Sequence, residues 1–271
     1  MSEKSENIEP EIVASDEAGD DAEAMIRRLS RRAFLWSGLA VGGTVGGLVL
    51  FNKYGREENG AKAAFRCVLD VNETLARGVL FSPTHRAPTF PREAAIEPRN
   101  NYHGETPEVD IDAWRLRLSG AAGDNAGKPM CTLTLADIKA LPRVSETTEL
   151  KCIEGWSAVT NWTGARFADF ADKYPPAPGS RYVALVSDPA DYPDERYHVG
   201  LDMESALHPQ TLLAYEMNDA PLNAAHGAPL RLIIPVKYGI KSIKLITSIA
   251  YTFERPGDYW AEQGYDWYAG L

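Results

Sequence analysis

Residues 150–157 read Leu-Lys-Cys-Ile-Glu-Gly-Trp-Ser, with a cysteine where an apolar segment gives way to a turn. The apolar residues before Cys152 indicate the end of a strand, and Gly155 indicates the turn. A rigid strand end can present a thiol to a bound ligand. Taken alone, however, a single free cysteine is more often a small buried hydrophobic residue. Its role therefore depends on what the rest of the chain supplies.

A second informative stretch lies downstream. Residues 226–235 read His-Gly-Ala-Pro-Leu-Arg-Leu-Ile-Ile-Pro, and residues 236–244 read Val-Lys-Tyr-Gly-Ile-Lys-Ser-Ile-Lys. The planar fork of Arg231 suits a phosphate. Point charge can come from Lys237, Lys241 and Lys244. Gly239 permits close approach of the backbone, where a turn of successive amides can form an anion nest.

The overall composition makes this basic cluster more informative. The chain has 271 residues, a formal net charge of −10 and a pI near 5.1. Nucleic-acid binding rests on clustered Lys and Arg that neutralise phosphates, so the acidic balance argues against a nucleic-acid partner. Three scattered cysteines do not form a disulfide framework, and the sequence has no CxxC or HExxH motif for zinc.

Together, the Cys152 segment, the following Trp162-Thr163-Gly164 and residues 226–244 resemble the cofactor-binding segments of the sulfite oxidase superfamily. The similarity is greatest to the branch that contains the catalytic subunit of periplasmic methionine-sulfoxide reductases. The resemblance implies a molybdenum–pterin cofactor (Mo-molybdopterin) with Cys152 as the one protein ligand to the metal. A soft thiolate suits a metal already bound by dithiolene sulfurs.

The resemblance extends to two weaker matches. Residues 99–104, Arg-Asn-Asn-Tyr-His-Gly, match a stretch that contacts the pterin in the family, and Ser187 matches a position where a hydroxyl faces the cofactor. His226 stands where this branch often has Asn. The cofactor contacts implied by the resemblance are Asn100, His103, Gly104, Ser187, His226, Arg231, Lys237, Gly239, Lys241, Ser242, Ile243 and Lys244.

The N-terminal part of the chain is predicted to be a targeting segment that does not belong to the folded domain. Residues 1–26 are acidic and predicted to be disordered. Residues 27–52 contain Arg-Arg-Leu-Ser-Arg-Arg-Ala-Phe-Leu and then an uncharged run, which resembles a twin-arginine signal or a membrane anchor. Residues 53–64 are a linker. This organisation predicts recognition by the twin-arginine export machinery and a location on the periplasmic side of the inner membrane, anchored or released after cleavage.

Residues 65–271 are predicted to form one α+β domain, mixed and rich in β structure. Strands are predicted at residues 114–118, 182–186, 230–236 and 243–253. Short helices are predicted after Thr134, at residues 166–173 and after Asp202.

The residues after Cys152 bear on the substrate. No arginine follows until Arg166, whereas sulfite oxidases place arginines close after the molybdenum cysteine to bind an oxyanion. Glu154 would repel a dianion, and Trp156 suits an apolar group. The sequence therefore favours reduction of an S-oxide or N-oxide, in a small molecule or in a protein, with Glu154, Trp156 and His198 as candidate pocket residues. Electrons would come from a membrane cytochrome or quinone-linked partner, because the chain has no CxxCH motif or iron–sulfur cysteine array.

Two alternatives stay open from the sequence. The same cofactor could oxidise a small sulfur compound. Alternatively, the chain could be an exported, non-enzymatic binding module in which Cys152 is inert and the aromatic tail, residues 258–268, is a contact surface. Cys67 and Cys131 are predicted to be buried free thiols.

Overall fold

The computed structural model describes residues 61–80, 85–100, 109–120, 131–187 and 196–270, together with Ser82 and isolated positions from 43 to 58. The predicted disordered segment, most of the predicted signal, and two predicted cofactor contacts, His103 and Gly104, lie outside these residues. The chain divides into Met1–Arg56 and Glu57–Leu271, and the strands and helices below belong to the second unit. Among the described helices, none has the length and apolar character needed to cross a membrane.

The described residues of this unit form twelve strands and five α-helices. The strands are β1 (Glu57–Glu58), β2 (Ala61–Lys62), β3 (Leu116–Ser119), β4 (Cys131–Leu133), β5 (Arg143–Lys151), β6 (Ser157–Arg166), β7 (Tyr182–Ser187), β8 (Tyr197–Asp202), β9 (Leu212–Met217), β10 (Ala220–Pro221), β11 (Arg231–Ile233) and β12 (Ser248–Thr252). The helices are α1 (Ala63–Leu75), which continues as a π-helical turn over Ala76–Leu80, α2 (Leu135–Lys139), α3 (Phe167–Lys173), α4 (Met203–Ala206) and α5 (Tyr259–Glu262).

Two five-stranded sheets form the framework. In one, the order is β10-β9-β6-β5, with β11 also paired to β9; in the other, it is β4-β3-β12-β7-β8, with β3 and β12 parallel. Alternate side chains of the second sheet, such as Leu185 and Ile249, share one buried cluster with Leu213 and Leu232 of the first. The described part of this unit is therefore mixed, rich in β structure and poor in helix, in agreement with the sequence prediction.

The predicted elements are present, but three strands are shorter than predicted: β3 begins two residues later than expected, and β11 and β12 lose more residues. β11 ends at Ile233 because the N–H of Lys237 bonds to the carbonyl of Ile234 in a turn, and Pro235 has no N–H to donate. β12 begins only at Ser248, since Leu245 has a positive φ of 47° that interrupts extended backbone.

The helix predicted after Thr134 forms as expected. The Thr134 hydroxyl accepts from the N–H of Asp137 at 3.3 Å, and the Asp137 carboxylate accepts from the N–H of Thr134 at 2.8 Å. This capping box fixes the start of α2. Asp202 caps α4 in a similar way, because its carboxylate accepts from the N–H of Ser205 at 2.8 Å.

Candidate active site

A cavity of about 630 Å³ opens where the β5–β6 turn meets the chain between β11 and β12. It has the size of a cofactor or ligand pocket. Its lining includes ten of the residues predicted from the sequence: Asn100, Cys152, Glu154, Trp156, Ser187, Arg231, Gly239, Ser242, Ile243 and Lys244. Residues far apart in the sequence thus meet at one place.

Cys152 lies in the turn of the longest hairpin. Strands β5 and β6 pair over nine positions, from Arg143 opposite Ala165 to Lys151 opposite Ser157. The N–H of Cys152 donates to the carbonyl of Trp156 at 2.9 Å and closes a five-residue turn. Gly155 adopts φ +86° in that turn, a conformation that favours glycine. The paired strands hold the thiol-bearing turn at the cavity, as the sequence predicted.

Glu154 and Trp156 lie in the same turn and contact each other. The indole N–H of Trp156 donates to a Glu154 carboxylate oxygen at 3.1 Å. Trp156 is half-buried and Glu154 is exposed. Because the carboxylate accepts from the indole, the pair presents a polar edge and an aromatic surface beside the thiol.

Arg231 provides a buried cation on β11. Its two terminal nitrogens donate to the carbonyls of His226 at 3.0 Å and Ser242 at 3.1 Å, and the guanidinium lies 4.7 Å from the ring centre of Trp162. Within the described residues it forms no ion pair, and its Nε has no hydrogen-bond partner. Burial lowers the pKa of Arg231 to about 9. A buried cation balanced only by carbonyl dipoles favours binding of an anion.

Lys244 adds a second cation close to Arg231. Its Nζ donates to Oδ1 of Asn100 at 2.7 Å and to the carbonyl of Ala225 at 2.8 Å. Burial and the nearby Arg231 charge lower the pKa of Lys244 to about 7. Gly227 makes this position possible, because a Cβ there would lie 2.6 Å from Cβ of Lys244. The His-Gly motif of the sequence thus places a lysine by close backbone approach.

Buried polar atoms that lack a hydrogen-bond partner indicate whether the cavity suits the cofactor implied by the sequence. The Ser187 hydroxyl, at the end of β7, lines the cavity, is buried and has no hydrogen-bond partner in the described structure. Arg231 contributes its unused Nε. Buried polar groups are normally hydrogen-bonded. A thiol, two cations and an unpaired hydroxyl around one cavity fit an anionic, sulfur-binding metal cofactor.

Three predicted contacts do not line this cavity. His226 is buried beside it, with Nε2 2.8 Å from a Glu97 oxygen, and burial lowers its pKa. Lys237 is buried over the ring of Tyr268, and burial lowers its pKa to about 6. Lys241 pairs with Asp258 at 2.5 Å, buried on both sides. The family resemblance placed all three at the cofactor, because a matching motif does not reveal which of its side chains face the cavity.

The turn that carries the predicted amide nest uses two of its amides in bonds of its own. Within the turn at Gly239–Lys241, the N–H of Lys241 donates to the carbonyl of Tyr238, and the N–H of Ser242 donates to that of Gly239. These two amides are therefore used inside the turn. Gly239 serves a different purpose, since a Cβ there would lie 3.2 Å from the carbonyl oxygen of Lys151. The glycine lets this turn pack against the end of β5, next to Cys152.

Sequence reasoning missed the aromatic wall of the cavity. Its members are Tyr197, Tyr259, Trp260 and Tyr265. Neighbouring ring centres along this wall lie 5.2–5.4 Å apart. The density of Trp and Tyr in residues 258–268 was the available signal, but it was interpreted as a packed end or a contact surface. His198 does not line the cavity; it contacts Tyr259 edge-on at 6.2 Å and lies 3.1 Å from Glu262.

Two arginines were missed as well, Arg99 and Arg196, both in the cavity lining and both exposed. The prediction considered only arginines close after Cys152 in the sequence. The fold brings guanidinium groups to the cavity from other segments.

Comparison with known proteins agrees with this site. Residues 103–260, more than half of the chain, match the family model described as oxidoreductase molybdopterin binding domain. The site and this match together define a molybdenum-cofactor oxidoreductase. The chain belongs to the molybdopterin-binding oxidoreductase domain family, of sulfite oxidase type, and its cofactor is Mo-molybdopterin.

Two individual relatives are named as subunits of protein-methionine-sulfoxide reductases. The chain is 32% identical over 258 residues to a putative protein-methionine-sulfoxide reductase subunit, YedZ1, of Azospira oryzae, covering 94% of this chain and 93% of that protein. It is 35% identical over 161 residues to the catalytic subunit MsrP of protein-methionine-sulfoxide reductase from Xanthomonas campestris, covering 56% of this chain. The match spans 49% of that relative, about half its length.

A solved structure shares the fold. The sulfane dehydrogenase SoxCD of Paracoccus pantotrophus matches with a TM-score of 0.51 over 65% of this chain and 47% of that one, at 18% identity. At this identity the likeness concerns the fold alone.

Proposed function

We propose that this enzyme reduces a sulfoxide, with methionine sulfoxide, free or within a protein, as the substrate class. The observation that carries the proposal is that one cavity is lined by two cations, Arg231 and Lys244, by the aromatic wall and by Cys152. The names of the relatives from Azospira oryzae and Xanthomonas campestris support the same substrate.

The reaction consumes two electrons and two protons: the sulfur–oxygen bond of the sulfoxide breaks, and the products are a thioether and water. When bound, the molybdenum cofactor supplies the two-electron, oxygen-accepting chemistry. The chain's own residues bind and orient the substrate. Trp156 and the aromatic wall suit a neutral thioether or sulfoxide chain by burying apolar surface and allowing sulfur–aromatic contacts.

The proposal includes the cellular setting. The N-terminal Arg-Arg motif and the uncharged run Ala33–Phe51 support export by the twin-arginine route and a location on the periplasmic side of the inner membrane. Electrons would come from a membrane cytochrome or quinone-linked protein, since no cysteine array or CxxCH motif occurs in the sequence.

The test is an activity comparison on molybdenum-loaded enzyme. Reduced benzyl viologen serves as the electron donor, and its oxidation is followed with N-acetylmethionine sulfoxide, an oxidised protein, trimethylamine N-oxide and no substrate. We expect turnover with methionine sulfoxide and none with Cys152→Ser. Turnover with the N-oxide alone would reject the sulfoxide assignment.

One observation favours a second candidate, oxidation of a small anionic sulfur compound. Arg99 and Arg196 line the cavity, where they can attract an oxyanion. The discriminating assay supplies sulfite or thiosulfate with ferricyanide as electron acceptor. Ferricyanide reduction that falls in Arg196→Gln, combined with no sulfoxide turnover, would establish this candidate in place of the first.

A further inference from the structure

Helix α1 has its apolar face outward. Five apolar side chains on this helix and its π-helical continuation are 52–75% exposed: Phe65, Val68, Val71, Leu75 and Val79. Their spacing of three or four residues places them in one stripe. An ordinary surface helix places such a stripe against the core.

The charged side of the same helix faces the domain. Arg66 donates to the carbonyls of Ala261 and Tyr265. Arg77 pairs with Glu73 at 2.9 Å and stacks on the ring of Tyr268 at 4.7 Å. Glu73 also pairs with Arg255 at 2.6 Å. Polar contacts thus fix the orientation of α1 and leave the apolar stripe facing away from the domain.

The composition of the stripe identifies its occupant. Hot spots of protein interfaces are enriched in Trp, Tyr and Arg and contain few Leu and Val residues, whereas four of the five stripe residues are Val or Leu. It also lies on a convex helix surface instead of a groove. Upstream, the uncharged run Ala33–Phe51 ends with exposed Val49 and Leu50, and eleven residues separate Phe51 from Ala63 in the sequence. Both features suit a lipid bilayer.

We propose that α1 lies in the interface of the bilayer, with its apolar stripe immersed among the lipid chains and its charged side holding the catalytic domain. This goes beyond the proposed function and rests on its membrane location. A helix of this kind binds by burying one apolar face at the boundary of headgroups and acyl chains. Val49 and Leu50 would be immersed in the same membrane.

The test places the photocrosslinking residue p-benzoylphenylalanine, one position at a time, at Phe65, Val68 and Leu75 of the full chain. The protein is reconstituted in phosphatidylethanolamine–phosphatidylglycerol vesicles, irradiated and examined by mass spectrometry. We expect lipid adducts at all three positions. Placement at Ile96, which is apolar, 58% exposed and outside α1, is the matched control and should give none.

The possible outcomes distinguish lipid contact by α1 from lipid contact by the uncharged run Ala33–Phe51 alone. The crosslinking residue is also placed at Leu50. Adducts at Leu50 but none at Val68 and Leu75 would overturn the proposal and leave the anchor intact, whereas no adduct at any of these positions would contradict the membrane location itself. Adducts only to another polypeptide, including a second copy, would assign the stripe to a protein partner and also overturn it. In the double variant Val68→Asp/Leu75→Asp, the lipid adduct at Phe65 should fall about 10-fold or more at unchanged molybdenum content.

Discussion

Two groups of residues that line the active-site cavity, the cationic end and the aromatic wall, differ in chemistry and in how the chain builds them. The cationic end is formed by Arg231 and Lys244, which lie in one stretch of sequence and whose charged groups are held by carbonyls and an amide oxygen. The aromatic wall combines Tyr197 with residues of the last segment of the chain, and its members contact one another through ring edges. We therefore expect the cationic residues to act on cofactor binding and the aromatic wall to act on substrate binding.

The largest expected effect comes from removing the Cys152 thiol, which lines the cavity. Cys152→Ser should reduce activity at least about 100-fold and alter or abolish molybdenum binding, since even residues that only support metal ligands contribute 10–100-fold. Molybdenum content by mass spectrometry and the absorption spectrum provide the measurements. Cys67→Ser, an exposed thiol on α1, is the matched control and should leave both unchanged. Equal molybdenum and activity in the two variants would refute the assignment of Cys152.

The cationic end is tested by Lys244→Met. Because a charge-assisted contact to the cofactor is lost, the dissociation constant of the cofactor should rise about 10–100-fold. The measurement is molybdenum retained after dialysis, with Lys139→Met, an exposed lysine on α2, as control. Retention equal to the wild type would show that the cation does not hold the cofactor.

The aromatic wall should act on substrate alone. Trp260→Ala removes a ring that packs against Tyr259 and Tyr265, and KM for methionine sulfoxide should rise about 5–10-fold, which corresponds to ~1 kcal/mol of aromatic contact. Molybdenum content and kcat should not change. The control is Phe253→Ala, an exposed ring outside the cavity. A loss of molybdenum in Trp260→Ala would erase the distinction between the two groups.

A smaller effect concerns stability and pH in the cofactor-free protein. Burial lowers the pKa of Lys237 to about 6, below its ordinary value in the unfolded chain. Between pH 6 and about 10, the unfolded state therefore binds the extra proton, and the free energy of unfolding should rise with pH at up to about 1.4 kcal/mol per pH unit from this group. Lys237→Met should flatten that slope. Denaturant titrations at pH 6.5, 7.5 and 8.5 measure it, and an unchanged slope would show that Lys237 is not the source.

How far the sequence could predict this site depended on whether chemistry was carried by a local motif. The turn that bears Cys152, and the presence of Arg231 and Lys244 in the cavity, were predicted from short stretches that resemble cofactor-binding segments of a known family. The capping box at Thr134 was similarly local. In contrast, the partners of Lys237 and Lys241 depend on Tyr268 and Asp258, which come from the end of the chain.

The same limit explains the missed residues. Arg99 and Arg196 reach the cavity from segments that are remote from Cys152 in sequence, and no spacing rule links them. Of the two cysteines predicted to be buried, Cys131 is half-buried, while Cys67 is exposed because α1 is oriented by its charged side. A periodic apolar pattern tells which residues share a face, but not which face the tertiary contacts turn inward.

The buried pair of Lys241 and Asp258 has an evolutionary consequence. Asp258 caps α5, the start of the segment that bears Tyr259, Trp260 and Tyr265, and the pair fastens this segment to the turn beside Cys152. We expect that an exposed side chain of this segment, such as Tyr265, can be exchanged without moving Arg231 or Lys244. The enzyme can therefore acquire new substrates by drift in a few contiguous codons while its cofactor chemistry is inherited intact.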